Sequence, residues 1–326
     1  MKKIIALLLT ASLALCCCAC GGTGKTEVGK LKIVCTVFPL YDWVNALLGD
    51  AAADADVTLL LDSGTDLHSF QPTAADILTV TGSDLFIYVG GESDKWVEDV
   101  FDTTASDAVR LSMLEALGED AVEEETVAGM QTEEEEEDSE EAHGIHETEY
   151  DEHVWLSLKN ASKLCGAVKD ALAQADPAHA KTYEDNCVLY RQDLAVLDSE
   201  YQAAVDGAAR KTLLFADRFP FRYMVEDYGL DYHAAFSGCS AETEASFETI
   251  TYLSQKLDEL DLPVILVTET SDGSIAETVK NASQSKDQQI LVMNALQSVT
   301  ADKLTSGVTY LSAMRDNLDV LKTALN

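Results

Sequence analysis

Residues 57–89, VTLLLDSGTDLHSFQPTAADILTVTGSDLFIYV, hold one complete unit of the fold. Val57–Leu61 is a short apolar run of strand character, Phe70–Val80 carries helical periodicity, and Leu85–Val89 is a second apolar run stopped by Gly90-Gly91. A strand, a helix and a strand in that order predict a parallel pair joined by a crossover helix. His68 falls just after the first strand. That is the carboxyl end, where open α/β sheets bind their ligands.

The same alternation continues on both sides. Leu31–Pro39 reads as a strand and Tyr41–Leu48 as a helix, with Val97–Phe101 and Val109–Leu114 extending the pattern downstream. Ala161–Ala175 is helical, Pro177 breaks it, and a second helix is expected from about residue 178 to 208, roughly 45 Å long. A second α/β unit follows. Its strands are Thr212–Ala216, Tyr232–Phe236, Val264–Val267 and Ile290–Met293; its helices run from Pro220 to Tyr228, Phe247–Leu260, Ile275–Ala282 and Tyr310–Leu325. The expected class is α/β, with an N-terminal lobe over 31–160, a helical hairpin over 161–210 and a C-terminal lobe over 211–326.

The charge is strongly one-sided. The 326 residues include 22 Lys+Arg against 58 Asp+Glu, a net −36, and 47% are hydrophobic. Real cores are therefore expected, which excludes a disordered chain or a disulfide-stapled miniprotein. Nucleic acid is excluded as a partner by phosphate repulsion, and cations are the natural counterpart. Residues 119–152 hold 17 of the acids and no Lys or Arg. Such density predicts a disordered acidic loop at about 119–150, whose negative potential would concentrate cations. His143 and His146 inside it are an accessory capture pair.

The first twenty residues read as an address. Lys2 and Lys3 precede the apolar Ile4–Leu15, too short to span a bilayer comfortably, and Cys16, Cys17, Cys18 and Cys20 follow. The segment 1–20 resembles a bacterial lipoprotein signal with Cys20 as the lipidated residue, and 21–30 reads as a flexible linker. No later stretch is apolar enough to cross a membrane, so the mature protein is expected outside the cytoplasm, held to the cell membrane by its N-terminal lipid. Of the remaining cysteines, Cys165 and Cys187 lie about equally far from Asp176-Pro177. They are read either as facing partners in a helical hairpin or as small buried hydrophobes.

Four residues are candidates for chemistry. His68 and Glu269 follow strands, Asp217 ends a strand, and His153 lies between the acidic segment and a helix. Imidazoles and carboxylates converging on a cleft suit zinc or manganese. His179 and His233 read as surface or packing residues. The chain has no GxSxG elbow, P-loop, HExxH or helix-opening GxGxxG, so an enzyme is not expected.

At this point the segments resemble the substrate-binding lipoproteins of bacterial zinc and manganese ABC transporters, the ZnuA-type metal-binding proteins. DLHSFQPTAADI, EHVWLS after a charged insertion, VTETSDGS and the YGL at Tyr228–Leu230 carry the resemblance over nearly the whole mature chain. It implies two Rossmann-like lobes joined by a long rigid helix, with the ion in the cleft between them. It also implies His68, His153 and Glu269 as ligands, zinc or alternatively manganese as cargo, and a membrane permease as partner. A monomer is expected. The family's third histidine is replaced by Arg218, beside Asp217. In one account Asp217 turns inward as the fourth ligand, with Arg218 turned out or paired to an acid. In the other the site is degenerate, and the chain is a surface lipoprotein acting as adhesin or interaction scaffold.

Overall fold

The computed structural model describes residues 29–131, 149–240 and 244–326. In the first lobe β1 (Leu31–Cys35), β2 (Ala55–Leu59), β3 (Leu85–Tyr88) and β4 (Val109–Ser112) pair in parallel in the order β2-β1-β3-β4. Ile33 of β1 stands opposite Val57 on one side and Leu85 on the other. Leu85, Phe86 and Ile87 are all fully buried. Helices cover both faces of this sheet, which is why its central strands are apolar without alternation. The helix expected from Phe70 begins at Ala74. Thr73 and Asp76 form a reciprocal capping box there, and His68 lies in a separate 3-10 turn, Leu67–Ser69.

The second lobe repeats the plan. Its strands β5 (Thr212–Phe219), β6 (Asp231–Ser237), β7 (Val264–Val267) and β8 (Gln289–Val292) are parallel in the order β6-β5-β7-β8. β5 runs past Ala216, where the sequence pattern ends it, and takes Asp217 and Arg218 into the strand through a register shift between Phe215 and Arg218.

Between the lobes, the helix Leu158–Ala175 turns at Pro177 into a helix of 27 residues, Ala180–Asp206, about 40 Å long. Its buried residues Tyr183, Cys187, Tyr190, Leu194, Leu197, Tyr201 and Val205 recur every three or four positions, so one stripe faces inward. That stripe belongs to a single apolar core containing Ile33 and Leu85 of the first sheet and Phe215 and Leu266 of the second. A shared core resists hinge motion, because opening the lobes would expose it. Cys187 directs its thiol at the Cys165 carbonyl at 3.5 Å, so the two residues face each other across the hairpin, and both are buried with their sulfurs unjoined.

Part of the acidic segment departs from the expected disorder. The Glu124 N–H donates to the Glu149 carbonyl at 2.9 Å, Asp151 N–H to Val122 O at 2.9 Å, and Gln131 N–H to Ala235 O at 2.9 Å. Backbone pairing of the two ends, with the Tyr223 hydroxyl accepting from Val122 N–H at 3.2 Å, offsets the like-charge repulsion that pattern alone emphasised. His143, His146, Cys20 and the segments 1–28 lie outside the described residues. Among those described, no helix is long and apolar enough to cross a membrane.

Candidate metal centre

In each sheet the strand order reverses beside the first strand, between β1 and β3 and between β5 and β7, which places crevices at their carboxyl ends. His68 is held over the first lobe by its own turn. Asp66 Oδ1 accepts the His68 backbone N–H at 3.0 Å, and His68 Nδ1 lies 2.9 Å from Ser93 Oγ and 3.5 Å from Glu152 Oε2. Ser93 is itself fixed, donating its N–H to Glu152 Oε1 at 2.8 Å. Gly91 makes that approach feasible: its φ is +80°, and a Cβ there would sit 2.5 Å from Glu152 Oε1.

His153 is fully buried. Asp151 Oδ1 accepts both its backbone N–H, at 2.8 Å, and its Nδ1 proton, at 2.9 Å. Such a carboxylate–histidine pair sets the tautomer and leaves Nε2 as the acceptor. The two rings meet with their Nε2 atoms 3.2 Å apart and their planes tilted by 56°. With its Nδ1 on Asp151, His153 turns its Nε2 lone pair toward the gap it shares with His68 Nε2, a place that suits a cation. Two nitrogens on one tetrahedral zinc lie about 3.3 Å apart, given Zn–N near 2.0–2.1 Å. The pair is spaced for one ion.

Burial keeps the imidazoles neutral. It lowers His68 to about 3, with the neighbouring His153 charge adding to the effect, and lowers His153 to about 4. The carboxyls beneath are pushed the other way, Asp151 and Glu152 each to about 7, again chiefly by burial.

Among the described residues, a third donor joins these two and it is Cys239: its sulfur and the two imidazole nitrogens lie within 4.8 Å of one another. Neither Asp217 nor Glu269 belongs to that group. Asp217 is engaged elsewhere, its Oδ2 accepting the Thr268 N–H at 2.8 Å and hydroxyl at 2.7 Å across the β5–β7 switch point. The register shift in β5 aims it there. Glu269 is held by backbone, Oε2 accepting Ala295 N–H at 2.7 Å and Oε1 accepting Gln297 N–H at 3.1 Å, and burial raises its carboxyl. Gln297 connects it to the centre, since its side-chain Nε2 lies 2.8 Å from His153 Nε2. Arg218 is paired with Asp66 Oδ2 at 2.8 Å, near enough that its charge helps to lower both imidazoles.

Cys239, Gln297 and Asp151 were not singled out by sequence reasoning. Gly238-Cys239 directly after β6 was the available signal for the first, being another carboxyl end.

The fold and this centre define a binding protein of two α/β lobes around a long helix, with a donor cluster at the crevice. The profile of the family described as "Zinc-uptake complex component A periplasmic" matches residues 33–324, and the chain belongs to that family. Its members are transport components and not enzymes. The chain is similar to the zinc-binding lipoprotein AdcA of Streptococcus pneumoniae, 31% identical over 322 residues, which cover 99% of this chain and 61% of that protein. It therefore spans about three fifths of that relative's length. It is also similar to the high-affinity zinc uptake system protein ZnuA of Bacillus subtilis, 28% identical over 99% of this chain and 98% of that protein. Among solved structures, the Zn(II)-bound ZnuA-like domain of Streptococcus pneumoniae AdcA superposes with a TM-score of 0.70 at 28% identity, covering 91% of this chain and 99% of that one. The two-lobe fold expected from the sequence is the fold of these neighbours.

Proposed function

We propose that this chain captures a divalent metal ion outside the cytoplasm, zinc first and manganese second, and delivers it to the permease of an ABC transporter. The observation that carries the reading is the 3.2 Å separation of the His68 and His153 Nε2 atoms, each ring fixed from its Nδ1 side. The ion is cargo, so the centre must bind it and also release it. In this reading His68 and His153 are the fixed donors. Glu269 is the carboxylate that joins when Gln297 moves aside, and Asp217 holds the crevice at Thr268. His143 and His146 collect ions at the mouth. The lipid anchor at Cys20 keeps a monomeric protein beside its permease. The names of the relatives support zinc as the cargo.

The test is metal content and unfolding temperature of the full chain, wild type beside His68→Ala. A ligand that binds the folded state alone stabilises it by RT ln(1 + [L]/Kd), about 2.7 kcal/mol at a hundredfold excess over Kd. One equivalent of zinc should stabilise the wild type and leave His68→Ala unmoved. A wild type that neither retains nor responds to zinc or manganese defeats the proposal and favours an interaction scaffold.

A further inference from the structure

We infer that Cys239 is the third inner ligand of this centre, binding the ion as a thiolate from the turn after β6 and taking the role that Arg218 cannot fill. The inference rests on the metal-capture reading and names the donor set within it. Three observations point the same way.

First, the sulfur is already grouped with the two imidazoles, all three donor atoms within 4.8 Å of one another. Nitrogen and sulfur on one tetrahedral zinc are about 3.6 Å apart, from Zn–N near 2.0–2.1 Å and Zn–S near 2.3 Å. The three donors are loosely gathered, and an ion would draw the mostly buried Cys239 side chain inward.

Second, the backbone is cut to bring the thiol there. Gly238 packs directly on His153: a Cβ on it would lie 3.2 Å from both Cε1 and Nδ1 of that ring and 2.9 Å from the Phe219 carbonyl. Any larger residue would lift the turn off the imidazole and carry Cys239 with it. The turn is then pinned by the Cys239 N–H, which donates to Glu124 Oε1 at 3.2 Å.

Third, polar atoms around the centre lack partners. Glu124 Oε2 and Gln297 Oε1 are buried with no hydrogen-bond partner among the described residues. Buried acceptors left open beside three metal donors are what a cation would satisfy. Arg218, at the expected ligand place, is already paired with Asp66 at 2.8 Å.

The binding step balances simply. The sulfur–metal bond forms as the thiol proton leaves to solvent, and no electron is transferred. A thiolate also sets selectivity, because a soft donor favours zinc over manganese.

The experiment titrates the full chain with cobalt(II), whose thiolate complexes absorb by sulfur-to-metal charge transfer in the near ultraviolet, and then measures zinc Kd by chelator competition. Wild type, His68→Ala, Cys239→Ala and Cys239→Ser are compared. The expected result is a charge-transfer band in the wild type that disappears in all three variants. Zinc affinity in the Cys239 variants should drop by more than the ~10–100-fold typical of losing an outer-shell partner. In the unsubstituted protein, zinc should also shield Cys239 from alkylation, read by peptide mapping, which keeps the test valid if the variants fold poorly. Stoichiometric, His68-dependent binding with no such band, unchanged affinity in Cys239→Ser and no shielding would overturn the thiolate and leave metal capture standing. No binding by the wild type would overturn both.

Discussion

Arg218 Nη2 lies 2.8 Å from Asp66 Oδ2, and the other oxygen of the same carboxylate accepts the His68 backbone N–H at 3.0 Å. The arginine that stands where the family places a histidine therefore braces the turn carrying the first imidazole. It joins β5 of one lobe to the β2 loop of the other, and its guanidinium and the carboxylate are both mostly buried. Arg218→Ala should lower unfolding free energy by about 1.5–3 kcal/mol, the range for hydrogen bonds to charged groups. It should weaken zinc binding less than His68→Ala does. Urea unfolding with and without zinc separates the two effects. An arginine that merely repelled the ion would give the opposite result, tighter zinc binding in Arg218→Ala.

Asp217 offers a similar contrast. Its Oδ2 takes both donors of Thr268, so Asp217→Ala leaves a buried N–H and hydroxyl without their partner. The expected loss is about 1–3 kcal/mol of stability, with zinc Kd changed by less than tenfold. A loss of zinc affinity as large as that of His153→Ala, at unchanged stability, would instead make Asp217 a direct ligand.

Much of this was readable from the chain, for identifiable reasons. Apolar runs such as Leu85–Val89 and Val264–Val267 mark buried parallel strands, and His68 and Glu269 stand just beyond strand ends, where pattern and position agree. The extension of β5 past Ala216 was not readable, because a register shift inside β5 is a property of its pairing with β6, which periodicity does not carry. Cys239 escaped notice because its neighbours in space, His68 and His153, are far away in sequence. The start of the helix at Ala74 was set by Thr73 and Asp76, a local capping exchange that outweighs the apolar spacing reaching back to Phe70.

One pH effect on the fold should come from a site distant from the metal. Asp42, on the helix Phe38–Leu48, accepts the Tyr310 N–H at 2.9 Å and the Tyr190 hydroxyl at 3.5 Å, where three helices meet. Burial pushes its carboxyl up to about 6. A carboxyl raised above its unfolded value of about 4 contributes stability that is full below pH 4 and lost as pH rises through 6. Two units correspond to roughly 3 kcal/mol at most. Asp42→Asn should therefore flatten the fall in stability between pH 4 and pH 7, measured by urea unfolding of zinc-free protein. An unchanged pH profile would rule out Asp42 as its source.

Asp151 tests how far the centre is pre-organised. One oxygen, Asp151 Oδ1, takes both the N–H and the Nδ1 proton of His153, so the ring's tautomer and orientation depend on it. Asp151→Asn keeps the shape and one acceptor and removes the charge that makes the imidazole a stronger donor to metal. Loss of such an outer partner costs ~10–100-fold in metal affinity. Zinc Kd from chelator competition should rise by that factor while zinc-free protein unfolds within a few degrees of wild type. Asp151→Leu should lose more, because nothing would then stop the ring from flipping its lone pair away from His68. If Asp151→Asn and Asp151→Leu bind zinc equally and at wild-type strength, His153 is held by packing against Trp155 and Gly238, and the carboxylate has no part in capture.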